Sequence, residues 1–239
     1  MNRLRIICLA ALILMVAAPA AFATPYVDAG DSITLSSANW TGYSGYGAGI
    51  MDFKIADGTN KFTIGTFCIQ DNVDIGWSTY TVGKVSDIVG LNPATNTFNS
   101  STAGEGSLQG SVNWLYAQYS TGRFGTLDSS QQADFQNLLW DLQGEGTLGS
   151  FSTDTDPTDP NYSAWYDAYE NDYLKNNLAS GNPSGKWGTE VLNIVDSCGN
   201  IEQNQLVYQP VPEPSTLFLL GAGLACALLL RRRSKTRNI

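Results

Sequence analysis

Over the first third of the chain, from Thr24 to about Val89, aromatic and β-branched residues are interleaved with Gly, Ser and Thr. Tyr43, Tyr46, Phe53, Phe62 and Phe67 are separated by turn signals such as Asp57-Gly58, a pattern that predicts strands. Phe62, Ile64, Thr66 and Cys68 alternate with Thr63, Gly65, Phe67 and Ile69. Both sets are fairly apolar, so this segment reads as a strand buried on both faces. Tyr80 to Val89 reads as a further strand and turn.

The period then changes. Leu108, Val112, Leu115 and Tyr119 fall at i, i+4, i+7 and i+11, which predicts an amphipathic helix from about Glu105 to Ser120. A second helix is expected from about Ser129 to Gln143, capped by Asp128 or Ser129 and ended by Gly144. Its apolar stripe is Phe135, Leu138, Leu139 and Leu142. Asp159-Pro160 supplies a cap and a first-position proline for a third, with Tyr162, Tyr166, Tyr169 and Tyr173 on one face. Thr189 to Val195 and Gln205 to Tyr208 return to strand patterning around the turn Ser197-Cys198-Gly199-Asn200. Strand, helix and strand blocks predict an α+β domain over 24–209, a β-sandwich or barrel-like body with an inserted helical lobe.

The ends follow another logic. Arg3 and Arg5 precede an uncharged apolar run from Ile6 to Ala18, and Ala21-Phe22-Ala23 supplies the small residues a signal peptidase reads. A cleavable signal peptide over 1–23 accounts for this order better than a buried helix does. Cys8 leaves with it, which disfavours a lipoprotein. At the other end, Val211-Pro212-Glu213-Pro214 precedes an uncharged run from Ser215 to Leu230, then Arg231, Arg232, Arg233, Lys235 and Arg237. At ~1.5 Å per residue the run reaches ~24 Å, short of a ~30 Å hydrocarbon core by a gap that snorkelling arginines can cover. It is read as one transmembrane helix, 215–230, with the basic tail 231–239 cytoplasmic and the ectodomain in the periplasm.

Pro-Glu-Pro, a short apolar span and a terminal arginine cluster resemble the PEP-CTERM sorting signal of Gram-negative bacteria, here 210–239. That resemblance implies recognition by an exosortase, with the protein held in the inner membrane before it reaches the cell surface or is secreted. The family commonly accompanies exopolysaccharide production, which implies an extracellular-matrix setting. A plain tail anchor would need no Pro-Glu-Pro.

Between the ends, six Lys or Arg face twenty-one Asp or Glu, a net of −15. Such a surface repels nucleic acid and anionic lipid and favours solubility. No histidine occurs anywhere, which removes a Ser-His-Asp triad, a Cys-His pair and His-ligated zinc. No cofactor and no metal is expected. Asp154, Asp156 and Asp159 are spaced like a fragment of a calcium loop, but Pro157 interrupts it and the glycine and distal glutamate are missing, so a solvated acidic loop is expected. Asp141 with Glu145 is a carboxylate pair of the kind an acid-rich sequence provides by chance, so an Asp/Glu-dependent exported hydrolase is the weakest reading. The tyrosine face of the third helix could stack on sugar rings, though packing is the commoner use of such a stripe.

Phe67-Cys68-Ile69 on a strand and Phe135-Gln136 with Leu139-Trp140 on a helix resemble the two motifs of the bacterial surface thioester domain. The resemblance spans about Gly47 to Tyr208. It implies that Cys68 sulfur and the Gln136 side-chain carbonyl join as an internal thioester, expelling ammonia. Gln136 and Trp140 are i, i+4 neighbours, so the indole could cover that bond. A partner amine would then displace Cys68 and form an amide with Gln136: covalent attachment without turnover, not enzymatic catalysis. Cys198 offers Cys68 a rival fate, a Cys68–Cys198 disulfide in an oxidising compartment, which suits a non-covalent structural or carbohydrate-binding matrix protein.

Overall fold

Alternation of buried and exposed positions builds the body of the domain. The computed structural model describes residues 26–38, 41–43, 46–70, 73, 75–99, 101–102, 104–144, 165–175 and 187–209. Val27–Gln209 form one compact unit. The expected signal peptide, sorting motif, transmembrane span and basic tail lie outside the described residues, as do Tyr162 and the acidic loop. No helix among the described residues is long and apolar enough to cross a membrane.

Six antiparallel strands form one sheet in the order β10-β9-β6-β1-β4-β5. They are β1 (Ser32–Ala38), β4 (Met51–Asp57), β5 (Asn60–Thr66), β6 (Thr79–Ser86), β9 (Thr189–Val195) and β10 (Gln205–Tyr208). Short ribbons β2 (Thr41–Tyr43) with β3 (Tyr46–Ala48), and β7 (Ile88–Val89) with β8 (Gly106–Ser107), flank it. Ile33, Leu35, Met51, Phe53 and Ile55 alternate inward along β1 and β4, as the two-residue period requires. Bulges between Leu35 and Ser37 and between Val82 and Lys84 bend β1 and β6. The curled sheet then almost closes on itself. Just past β5, Phe67 carbonyl accepts from Leu206 N at 2.9 Å, and Ile69 N donates to Asn204 carbonyl at 3.0 Å. The Thr66 hydroxyl also donates to the Leu206 carbonyl. The body is therefore a nearly closed barrel rather than a sandwich.

Closure explains a departure from the sequence pattern. Only the stretch from Thr66 to Gln70 is buried on both faces; Phe62 to Gly65 remain half-buried or exposed, because β10 covers the strand only at its far end. Alternation along the closing stretch divides two clusters. Cys68 points into the barrel interior with Phe53, Met51 and Val207, whereas Phe67 and Ile69 point to the helical layer.

That layer is built by α1 (Gly110–Ser120) and α2 (Ser129–Gln143). The first helix starts later than its periodicity suggests, since Gly104 to Gln109 carry β8 and positive-φ glycines at Gly104 and Gly106. Nor is α1 amphipathic over most of its length: all eight residues from Gly110 to Ala117 are buried. It lies between β9 and β10 on one side and a π-helical turn, Tyr169–Leu174, on the other. By contrast α2 has the expected bounds. Asp128 accepts from Gln131 N at 3.0 Å while its own N–H donates to Gln131 Oε1 at 2.9 Å, a complete capping box. Gly144 ends the helix at φ 89°. Tyr169 stacks on Tyr173 at 5.6 Å and meets Tyr166 at 5.9 Å, so part of the expected tyrosine face packs against itself.

Candidate site at the barrel seam

Cys68 and Gln136 are brought together. The thiol is 3.5 Å from Gln136 Oε1, and Gln136 Nε2 donates to the Cys68 backbone carbonyl at 2.6 Å. The two residues are 1 % and 0 % exposed. Their neighbours set this meeting. Phe67 and Phe135, each one residue earlier, pack with ring centroids 5.2 Å apart, and Tyr119 packs on both. Phe135 also contacts Trp165 edge-on at 5.5 Å. This aromatic cluster fixes the height of α2 over the seam strand and leaves Gln136 facing Cys68.

Trp140 is one helical turn beyond Gln136 and joins the barrel-interior cluster that contains Cys68. Apart from the buried amides of Gln136 and Gln205, apolar groups pack around the thiol, and any charge formed there would be poorly solvated.

Cys68 also has a partner across the seam. The bonds from Leu206 N to Phe67 O and from Ile69 N to Asn204 O flank the Cys68–Gln205 bridge. That pattern makes the two a non-hydrogen-bonded antiparallel pair, the kind whose side chains stand closest, on one face of the sheet. Gln205 is fully buried, and its Oε1 has no hydrogen-bond partner among the described residues. Around it runs a set of buried amides. Gln70 Oε1 accepts from Asn204 N at 2.9 Å, Gln203 Nε2 donates to Gln70 carbonyl at 2.9 Å, and Asn204 Oδ1 accepts from Gly90 N at 2.6 Å. Sequence reading passed over Gln205. The uninterrupted amides Gln203-Asn204-Gln205, leading into a buried strand, were the available signal.

Beyond the closing bonds β5 and β10 diverge, and an open groove of about 450 Å³ lies between them. Ile64, Tyr208, Tyr119 and Gln132 are among its walls. Tyr116 donates to the Leu206 carbonyl at 3.2 Å on its floor. Burial pushes the Tyr116 phenol well above its ordinary value. Tyr119 is raised too, by burial first and then by Asp52. Both stay protonated donors near neutral pH.

Other expectations fare differently. No disulfide joins Cys68 to Cys198: Cys68 is buried against Gln136, whereas Cys198 is exposed in the turn after β9, its N–H donating to Asp196 Oδ1 at 2.8 Å. Asp141 is exposed on α2, and Glu145, its expected carboxylate partner, lies outside the described residues. Among the described residues no group of three His, Cys, Asp or Glu could hold a metal ion.

Residues 210–233, which include Val211-Pro212-Glu213-Pro214 and Arg231 to Arg233, match the PEP-CTERM protein-sorting motif. No curated protein and no solved structure matches the chain. The motif makes this an exported protein, recognised by an exosortase and sorted to the cell envelope.

Proposed function

We propose that the exported domain forms an internal thioester between Cys68 and Gln136 and uses it once, to attach itself covalently to an amine on a surface or matrix partner. The observation that supports this reading is the buried approach of the thiol to the Gln136 carboxamide, 3.5 Å from its oxygen, with the amide nitrogen held on the Cys68 carbonyl. Most buried cysteines face only apolar groups, and most helix glutamines are solvated.

The chemistry follows from the parts. Sulfur adds to the Gln136 carbonyl carbon, the carbon–nitrogen bond breaks, and the thiol hydrogen leaves on nitrogen as ammonia. The fold contributes proximity, since α2 and the seam strand hold both groups rigidly. Water exclusion by the apolar surroundings and Trp140 would preserve the product. Discharge by an amine returns the thiol and leaves an amide on Gln136. Because the donor is consumed, this is a single-use coupling and not enzymatic turnover.

The test is the intact mass of the full chain after export. A mass low by one ammonia, restored in both Cys68→Ala and Gln136→Ala, is expected. An unmodified mass would return the domain to non-covalent binding. The groove between β5 and β10, with Tyr119 and Tyr208 in its wall, favours a sugar-containing matrix polymer as the partner in that case.

A further inference from the structure

The open half of β5 carries a polarised charge pattern. Seam bonds from β10 reach Phe67 and Ile69 on the edge turned away from β4. By the two-residue period, the backbone groups of Gly65, Thr63 and Lys61 face that same edge. β5 is the last strand of the sheet on this side, and among the described residues no strand pairs with that half. Lys61, Thr63 and Gly65 share the outer face with Asp52 and Lys54, the β4 partners of Gly65 and Thr63. Asp52 reaches over its glycine: a Cβ on Gly65 would meet Asp52 Oδ1 at 3.2 Å. Tyr119 stands in the groove wall here, near enough to Asp52 for that carboxylate to raise its phenol. The other end is positive, with Lys61 exposed on the edge and Lys54 exposed one strand behind. Asp52, Lys54 and Lys61 form no ion pair among the described residues.

We propose that this edge docks an extended strand of a protein partner, with a lysine opposite Gly65 and an acidic residue opposite Lys61, four residues away. It rests on the covalent reading for the kind of partner, an amine-bearing surface protein, and adds where that protein is held before capture. Backbone pairing supplies the bonds that β10 does not, antiparallel like the other pairs of the sheet. A lysine opposite Gly65 is two strands from Asp52, twice the ~4.8 Å strand spacing. Its extended side chain covers that span because the glycine between leaves the way clear. At the far end a carboxylate meets Lys61 directly, so charge sets the register. A polysaccharide has no backbone donors and acceptors at the strand repeat, which is why the edge favours protein. Tyr119, packed on Phe67 and Phe135, connects the edge to the residues beside Cys68 and Gln136.

The test is fluorescence polarisation of a dye-labelled peptide, Lys-Val-Thr-Val-Glu, on the full exported chain carrying Cys68→Ala, which reads docking without capture. Saturable binding is expected. N-methylation of the peptide's threonine, which removes the N–H that would pair with Thr63, should weaken it roughly tenfold or more. Asp52→Asn, or norleucine in place of the peptide's lysine, should each weaken it by up to about fivefold, the size of an exposed ion pair, and the two together no further. The altered peptides leave the protein unchanged, so the result does not hang on a variant that fails to fold. No saturable binding, or binding indifferent to both peptide changes, overturns the docking edge. Binding of labelled cellohexaose in place of the peptide gives the groove to a sugar and overturns it as well. A wild type that never loses ammonia, while the peptide docks as expected, overturns the covalent reading alone.

Discussion

Gln136 grips Cys68 by its backbone, donating Nε2 to that residue's carbonyl at 2.6 Å while its own Oε1 lies 3.5 Å from the thiol. One amide thus anchors α2 to the seam strand and presents its carbonyl to sulfur. The two roles separate by mutation. Gln136→Met leaves a buried carbonyl unpaired and should cost about 1–3 kcal/mol. Cys68→Ala, which keeps that bond's acceptor and removes only sulfur, should cost less. Urea denaturation of the two variants checks the order.

The aromatic contact beneath the site should matter more than either. Phe67→Ala or Phe135→Ala opens a cavity where rings pack at 5.2 Å, and each should lower stability by about 3–5 kcal/mol. Because they touch, the double variant should cost less than the two singles combined. Additive losses in a double-mutant cycle would show that the rings act separately.

The ends of α2 give a milder and cleaner perturbation. Asp128→Ala removes the capping box and should cost about 1 kcal/mol. Gly144→Ala meets no atom of the described residues within 4 Å, so its expected cost is that of the backbone conformation at φ +89°, about 1–2 kcal/mol. A thermal melt that does not move for Gly144→Ala would contradict the left-handed cap.

Stability should also depend on pH, with an uncommon sign for carboxylates. Glu190 is raised above its ordinary 4.5, by burial first and then by Asp87 and Asp28; burial raises Glu105 and Glu202 as well. For a carboxyl raised in the fold, the native state binds more protons than the unfolded chain between the two values. Its stabilising effect is therefore full below the ordinary value and is lost as pH rises through the folded one. Melting temperature should rise on mild acidification from neutrality, and Glu190→Gln should flatten part of that rise. Asp196, lowered chiefly by Asn200, works in the opposite direction at a partly exposed site.

Local chemistry made some of this legible in sequence. Asp128, Gln131 and Gly144 carry the limits of α2 in their own side chains and backbone preferences, so the expected and observed helices coincide. Cys68 and Gln136 could be singled out by motif resemblance, and their proximity is realised in the fold. What stayed hidden was non-local. Burial of α1 on all sides depends on strands and a π-helical turn far along the chain, which its own period cannot register. The split of the stretch from Phe62 to Gln70 into an open half and a covered half depends on β10, and so does the pairing that sets Gln205 beside Cys68.

That seam joins distant parts of the chain. Cys68 and Gln136 are 68 residues apart, and the Thr66 hydroxyl reaches a carbonyl 140 residues away. A chain crossing a membrane from its N-terminus delivers strand and helix first and β10 last. Until β10 arrives, the thiol's strand has an open edge and Gln205 is missing. Closure of the seam around Cys68 is thereby tied to completion of export, so a truncated or stalled copy would reach the outside with that edge of the barrel unpaired.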